Sequence, residues 1–504
     1  MEHFRLFVLP FWLGALFLLV ALLYKYILWF VKLEPAQRRM FFRSLPTRAT
    51  LRSLGEIASE SLLHRKIWRR NKLLGYMHTS FALGWFLLIV VGWTETLVYF
   101  KGENVPLYVD IFFSYYVHPI FEHNFNFSLI KDALLLLILV GVGLAWFKRI
   151  RSRAMGMRRT TKHVLGDRIA LSALWLIFPA RLLAESMTSA VVWRFGGIVW
   201  ALGEEHHLIP PGTGCGSFLT HTTGELLAAV LPDNLLRAGE LPCWWLYSIA
   251  LGVFFVALPF SRYMHIFTEI PLIFLRNAGL RSKEKPSSYD HFQTNACSRC
   301  GICIDPCQLQ RAAGINGVQS VYFLRDLRSG NLTDAVANNC LMCGRCEQAC
   351  PVGIEQNTLR LNSRQRTAVP VGENRYGYIR GIDRSQGNGK VGYFAGCMTL
   401  LTPKILHAME RIFEAAGEPV WWADKDGGVC CGRPLKLSGE IDAARVMMES
   451  NRELFRKHGI TTLVTSCPIC LRVFREDYDL PGIEVLHHSE YIERLIAAGR
   501  LKPQ

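Results

Sequence analysis

The chain has 504 residues, half of them hydrophobic and 19% charged, against about 25% charged in an ordinary soluble domain. Its apolar residues gather into long runs at 4–31, 73–100, 128–147, 164–193 and 241–268, which excludes a fully soluble chain and a disordered one. Of the 15 cysteines, two precede residue 285 and thirteen follow Asn295, so a membrane half is joined to a cysteine-dense half.

The net charge of +16 raises nucleic acid as a partner, and its placement removes it. Residues 32–72 hold eleven Lys/Arg and three acids, and residues 148–162 hold seven Lys/Arg and no acid. The other two loops are acidic: 101–127 has one Lys against three acids, and 193–240 two Arg against five. This alternation is the positive-inside pattern of a five-span protein, with the N-terminus outside and everything after about Thr268 in the cytoplasm. The first run is too long for a cleaved signal peptide and lacks a small-residue cleavage site, so it reads as the first span. Arg38 to Lys72 is expected to contain an amphipathic helix lying on the inner membrane face.

In the second span, His78 lies about one turn inside the cytoplasmic start near Leu73. His265 lies near the cytoplasmic end of the fifth, at similar depth. One imidazole from each of two antiparallel helices is what bis-histidine haem b requires; the alternative is two unrelated interfacial histidines. His118, His123, His206, His207 and His221 fall in outer loops and read as solvated or interfacial, not as ligands, and His163 supports a haem propionate or caps the fourth span. Arg181 and Glu185 are spaced i, i+4 towards the outer end of that span, with Glu95 at similar depth in the second. They form either a quinone pocket, in which a carboxylate takes the proton and Arg polarises a carbonyl, or a structural ion pair. Cys215 and Cys243 are both outside, where they pair or remain free thiols. The glycines around Cys215 follow no strand and make no nucleotide loop.

Beyond the spans, Cys297-x2-Cys300-x2-Cys303-x3-Cys307 is followed by Cys340-x2-Cys343-x2-Cys346-x3-Cys350-Pro351. Three thiolates of each run wrap a cubane and the fourth reaches the other cluster. That assigns one [4Fe–4S] cluster to Cys297, Cys300, Cys303 and Cys350, and the second to Cys340, Cys343, Cys346 and Cys307. Cys307 departs from the pattern in being preceded, not followed, by proline. Residues 361–389 are polar and Gly-rich and read as a linker. Then strand-like segments at 390–394, 420–423, 462–465 and 483–486 alternate with helical ones at 403–416 and 439–457, a small α/β domain. Its cysteines, Cys397, Cys430-Cys431-Gly432 and Cys467-x2-Cys470, fall where strands end. Loops at the carboxyl ends of parallel strands converge, so five thiols can meet at one centre, one more than a cubane needs.

The Cys397…Cys430-Cys431-Gly432…Cys467-x2-Cys470 spacing resembles the CCG domain of heterodisulfide reductases. With the double ferredoxin motif, it is similar to the Fe–S subunit of those enzymes. It resembles still more the related subunit of the membrane complex linked to dissimilatory sulfite reduction, which also carries a single five-cysteine element. Leu74-Gly-Tyr-Met-His78 and Pro259-Phe-Ser-Arg-Tyr-Met-His265 resemble the cytochrome b (gamma) subunit of respiratory nitrate reductase. That likeness implies haem b on His78 and His265. The second histidine pair of that subunit is replaced here by Leu88 and Tyr247, so one haem is expected. Heterodisulfide reductases usually have two CCG elements and this chain has one, which puts disulfide cleavage on paired clusters in doubt. Fused chains of this plan also resemble oxidoreductases that pass electrons between electron-transfer flavoprotein and menaquinone.

The expected architecture is therefore a five-span α-helical bundle over residues 1–280 and an α-helical two-[4Fe–4S] ferredoxin domain over 281–360. A linker over 361–389 then leads to a small α/β CCG domain over 390–504. The expected function is a membrane oxidoreductase of a bacterium or archaeon. It moves electrons between a quinone, expected to be menaquinone, and a soluble cytoplasmic partner through haem b, two [4Fe–4S] clusters and a CCG-type Fe–S centre. The soluble partner is a thiol–disulfide protein or, alternatively, an electron-transfer flavoprotein, and the chain is expected to work within a larger complex. No nicotinamide or flavin motif is present.

Overall fold

The computed structural model describes residues 5–99, 107–112, 127–151, 154, 163–200, 206–212, 217–283, 286–367, 383–426 and 429–502. They fall into two compact units: Met1–Val336 with Cys343–Gln356, and Ala337–Met342 with Asn357–Gln504.

The first unit holds five helices long and apolar enough to cross a membrane: Leu6–Val31, Lys72–Val98, Phe127–Arg151, Leu165–Phe195 and Asp233–Phe260. Four coincide closely with the apolar runs. The fifth starts earlier and ends earlier, because Pro259 and an extended Ser261 (φ −112°, ψ 174°) stop it. Ser261 Oγ accepts from Tyr263 N–H at 3.2 Å, and a separate helix begins at His265 and runs to Asn277. His265 is therefore the first residue of a new helix and not part of a span. Small residues set the packing of the bundle: a Cβ on Gly14 would lie 2.7 Å from Gly252 Cα, so the first and fifth helices touch backbone to backbone. Between the first two long helices the chain makes short helices at Pro35–Ser44, Arg48–Glu56 and Arg65–Arg70, of which Arg48–Glu56 is amphipathic. After the fourth come a small antiparallel pair, β1 (Gly197–Trp200) and β2 (His206–Ile209), and a helix over Leu219–Val230.

The cysteine-rich part of this unit is built from short helices, Tyr289–Asn295, Gln308–Ala313, Ser320–Ser329 and Arg345–Ala349, and is bonded directly to the bundle. Ser288 Oγ donates to Trp29 O at 2.6 Å, Lys66 Nζ to Pro351 O at 3.3 Å and Lys148 Nζ to Cys300 O at 3.2 Å.

The second unit is organised by a four-stranded parallel sheet of order β4-β3-β5-β6, with β3 Val391–Phe394, β4 Val420–Trp422, β5 Thr462–Thr465 and β6 Glu484–His487. Val391 is in register with Val420 on one side and Thr462 on the other. Alternate strand residues feed two cores: Phe394, Trp421 and Leu463 on one face, Tyr393, Trp422 and Val464 on the other. A parallel sheet covered on both faces needs this two-sided hydrophobicity. The expected linker begins too early. A helix runs Gln356–Thr367, and Arg364 in it donates to the carbonyls of Asn338 and Cys340 (both 2.7 Å) and of Leu437 (2.5 Å), so residues 361–367 are packed structure.

Candidate redox centres

The parallel sheet places the five C-terminal cysteines. Cys397 follows β3, the Cys430-Cys431 pair follows β4, and Cys467 and Cys470 follow β5, the carboxyl ends of three adjacent strands. The thiols converge: Cys431 is hydrogen-bonded to Cys430 and Cys470, Cys467 to Cys470, and Cys397 faces Cys431 and Cys467. Hydrogen bonds from Cys430 and Cys470 hold the Cys431 thiol well below its ordinary value, and that from Cys470 lowers Cys467 to about 6. The donors Cys430 and Cys470 are pushed up in return. Cys431, Cys467 and Cys470 are buried, Cys430 is half-buried, and Cys397 is exposed.

The loops that carry these thiols are fixed from behind. Asn451 Nδ2 donates to Cys430 O and to Tyr478 Oη, both at 2.8 Å, and Tyr478 Oη donates to Cys431 O at 3.2 Å. Asp424, fully buried, accepts from Ala395 N–H (2.9 Å), Gly396 N–H (2.7 Å) and Trp422 Nε1–H (3.1 Å), which holds the turn into Cys397. Burial outweighs these bonds and raises its carboxyl from 3.8 to about 6. Gly396 (φ 86°, ψ 147°) occupies a region open only to glycine, and a Cβ there would lie 2.7 Å from Cys467 Cβ and 3.0 Å from Cys470 Sγ. Gly396→Ala is expected to lose about 1–3 kcal/mol from backbone strain alone. It should also release iron from this centre, read by thermal unfolding and iron content.

In the first quartet, the Cys303 thiol faces Cys297, Cys300 and Cys350, with Cys346 beyond, and desolvation pushes it well up. Cys350 likewise faces Cys297 and Cys300 and accepts the backbone N–H groups of Val352 and Ile354. The structure thus brings together the four residues expected to share a cluster. Cys343, Cys346 and Cys307 lie in the first unit and Cys340 in the second. Both motifs use the same backbone device. Arg299 (φ 58°) and Met342 (φ 52°) are left-handed between the first two cysteines, and Gly301 and Gly344 are left-handed after the second. The reversed residue donates its N–H to the first thiol, Arg299 to Cys297 and Met342 to Cys340 (3.4 Å). Among the described residues no three His, Cys, Asp or Glu side chains meet at the spacing of a single ion. A cubane, with an iron at each cysteine corner, does not require that.

His78 fits a haem ligand: its Nε2 is buried with no hydrogen-bond partner among the described residues. His265 Nδ1 lies 2.8 Å from Arg262 O, the bond that leaves Nε2 free as an acceptor for a metal. A third imidazole, His64, stacks on His78 with ring centroids 5.4 Å apart and bonds Leu62 O through Nδ1 at 3.2 Å. In the sequence nothing sets it apart from the basic loop around it. The left-handed backbone (φ 51°) that turns it inward has no signature in a histidine. His163 is held near 4 by burial and by Arg262, Arg299 and Arg149.

Arg181 and Glu185 form the expected ion pair at 2.7 Å, both buried. Arg181 also donates to Tyr247 Oη (3.2 Å) and Ile111 O (3.1 Å), so Tyr247 is this guanidinium's partner. Glu95 pairs elsewhere, with Lys131 at 2.9 Å. Asp132 beside that lysine faces Glu185 and accepts from the N–H groups of Leu219 (2.6 Å) and Thr220 (3.0 Å). The Lys131-Asp132 dipeptide is visible in the sequence as charge inside an apolar run. Cys243 is half-buried, and Cys215 lies outside the described residues, as do His118 and His123.

Comparison with protein families gives two matches: a 4Fe-4S dicluster domain over residues 293–354 and a cysteine-rich CCG domain over 391–475. The chain carries both domains. It is 25% identical over 257 residues to a subunit of the fumarate reductase (CoM/CoB) of Methanothermobacter marburgensis, covering 44% of this chain and 51% of that protein. Against a subunit of the dihydromethanophenazine:CoB–CoM heterodisulfide reductase of Methanosarcina barkeri it is 25% identical, over 43% of this chain and 51% of that one. It therefore spans about half the length of these two relatives. The EtfAB:quinone oxidoreductase of Syntrophomonas wolfei is 20% identical over 95% of this chain and 79% of its own length. No solved structure matches.

Proposed function

We propose that the chain is a membrane-bound iron–sulfur oxidoreductase that moves electrons between a membrane quinone, of menaquinone type, and a soluble redox partner. The observation that carries this reading is the seating of the first cysteine quartet on the end of the apolar bundle, beside the residues around His78. On this reading one haem b is held by those two imidazoles. Two [4Fe–4S] clusters are held by Cys297, Cys300, Cys303 and Cys350 and by Cys340, Cys343, Cys346 and Cys307, and a CCG-type cluster by the five C-terminal thiols. These groups supply one-electron chemistry when bound. The chain's own part is ligation and insulation: within the CCG centre burial leaves Cys397 as the exposed thiol, which faces a docking partner. Arg181 orients a quinone carbonyl and the Glu185 carboxylate beside it is the proton acceptor, with Tyr247 fixing the guanidinium. Glu95 neutralises Lys131 instead of lining that pocket. The bundle lies in the cytoplasmic membrane of a bacterium or archaeon with the N-terminus outside and the Fe–S domains in the cytoplasm, within a larger complex.

Likeness over 95% of the chain to an EtfAB:quinone oxidoreductase favours a flavoprotein donor. The fifth, exposed thiol favours a second reading in which the CCG centre exchanges electrons with a disulfide-bearing protein. Adding enzymatically reduced electron-transfer flavoprotein to the anaerobic protein tests both. Rapid reduction of the haem b band supports the first. Reoxidation of quinol-reduced haem by a disulfide protein, without response to the flavoprotein, supports the second. Response to neither sinks the proposal.

A further inference from the structure

Asp167 lies in the first turn of the fourth long helix, is fully buried, and gathers three segments. Its Oδ1 accepts the backbone N–H of Arg262 at 2.6 Å, in the turn that breaks the fifth helix. Its Oδ2 pairs with the guanidinium of Arg299, whose side chain is 1% exposed and which sits inside the first cysteine quartet. Arg328 Nη2 approaches Oδ1 at 3.5 Å and also faces Cys297. The Arg262 carbonyl in turn accepts from His265 Nδ1, and Arg299 donates its backbone N–H to Cys297. One carboxylate therefore stands between the His265 turn and the first quartet, two short steps from each. A second contact lies alongside, where Met77, next to His78, packs with Ile302 and with Ala349, next to Cys350.

A buried carboxylate facing the guanidiniums of Arg299 and Arg328, with that of Arg262 also within its field, is strongly destabilised when a partner is removed, so surface docking does not require it. It does clamp one loop against another and fix the charge beside a thiolate-ligated centre. We propose that Asp167 is the positioning residue of an electron-transfer junction. It holds the cluster of Cys297, Cys300, Cys303 and Cys350 against the His265 turn, makes that cluster the membrane-facing one of the two, and sets its potential by balancing Arg299 and Arg328. This rests on the cluster assignment proposed above. The sign follows from charge. Reduction adds an electron to the centre, so uncompensated cations nearby raise its potential and their removal lowers it.

The test is a redox titration of the anaerobic full-length protein followed by electron paramagnetic resonance, with the two ferredoxin signals assigned through Cys303→Ser and Cys346→Ser. Asp167→Asn should raise the midpoint potential of the first cluster alone and slow reduction of the haem b band, and Asp167→Glu should restore both. Arg328→Met, at the edge of the network where misfolding is not expected, should lower the same midpoint. A first-cluster potential that does not move in Arg328→Met, or that moves equally with the second cluster's, overturns the proposal. Absence of a haem band in the unmodified protein would instead fault the haem reading, and the cluster shifts would still decide the role of Asp167.

Discussion

His78→Ala is expected to remove the haem b absorption band completely, leaving iron–sulfur content unchanged. The buried Nε2 of His78 has no hydrogen-bond partner among the described residues, and an unmet buried nitrogen costs about 1–3 kcal/mol, which a ligand bound there relieves. Alanine leaves His265 as a single axial donor, which cannot hold a bis-histidine haem. His64 gives the control. It stacks on His78 and bonds a backbone carbonyl, so His64→Ala should keep the band and change only its midpoint or line shape. A pyridine haemochrome assay and a reduced-minus-oxidised spectrum read both. A full band in His78→Ala would exclude this residue as a ligand. Loss of the band in His64→Ala would move the axial pair to His64.

Cys431→Ser is expected to abolish electron exchange with the soluble partner while quinol still reduces haem at the unmodified rate. Cys431 is the hub of its centre: it accepts from Cys430 and Cys470, faces Cys397, and its carbonyl is held by Tyr478. A hydroxyl ligates iron poorly, so the cluster should be lost as a unit and iron content should fall accordingly. Cys397→Ser separates the two partner readings. The exposed thiol of this centre is the one that could form a mixed disulfide. If it serves in thiol chemistry, the variant retains its cluster signal and loses all turnover with a disulfide protein. If the centre is an electron conduit, turnover with reduced flavoprotein persists wherever the cluster signal does.

Much of this molecule could be read from one sequence because its strongest signals are periodic or paired. Apolar runs of some 25 residues, cysteines at fixed rhythm, and short β-branched segments between helical ones each answer to one physical requirement. Five thiols are expected to meet where parallel strands end together, and β3, β4 and β5 bring them together. What escaped was local geometry that no residue type announces. The break at Ser261 that frees His265 from the fifth helix depends on a single extended residue after Pro259. His64 and Arg299 take left-handed backbone that only glycine would have advertised. The clamp of Asn451 and Tyr478 on the Cys430-Cys431 carbonyls joins residues far apart in sequence through one amide and one phenol. Residues 361–367 look like linker by composition, yet Arg364 ties them into the domain through three carbonyl bonds.

The backbone contact of Gly14 with Gly252 bears on how the protein is made. The first helix finds its neighbour in the fifth: Phe11 N–H reaches Ser248 Oγ at 3.3 Å, 237 residues downstream, and Lys25 Nζ reaches Pro259 O at 2.5 Å. At a synthesis rate of roughly 5–20 residues per second, the first helix waits on the order of ten seconds or more for that partner to emerge. Its neighbours in the chain pack chiefly with each other, the second with the third and the fourth with the fifth. On the proposed membrane reading the opening segment must therefore be apolar enough to stand alone in lipid, which Leu9–Val31, with Lys25 its one charged residue, allows. The contact between the first and fifth helices therefore forms only after the fifth helix has been made.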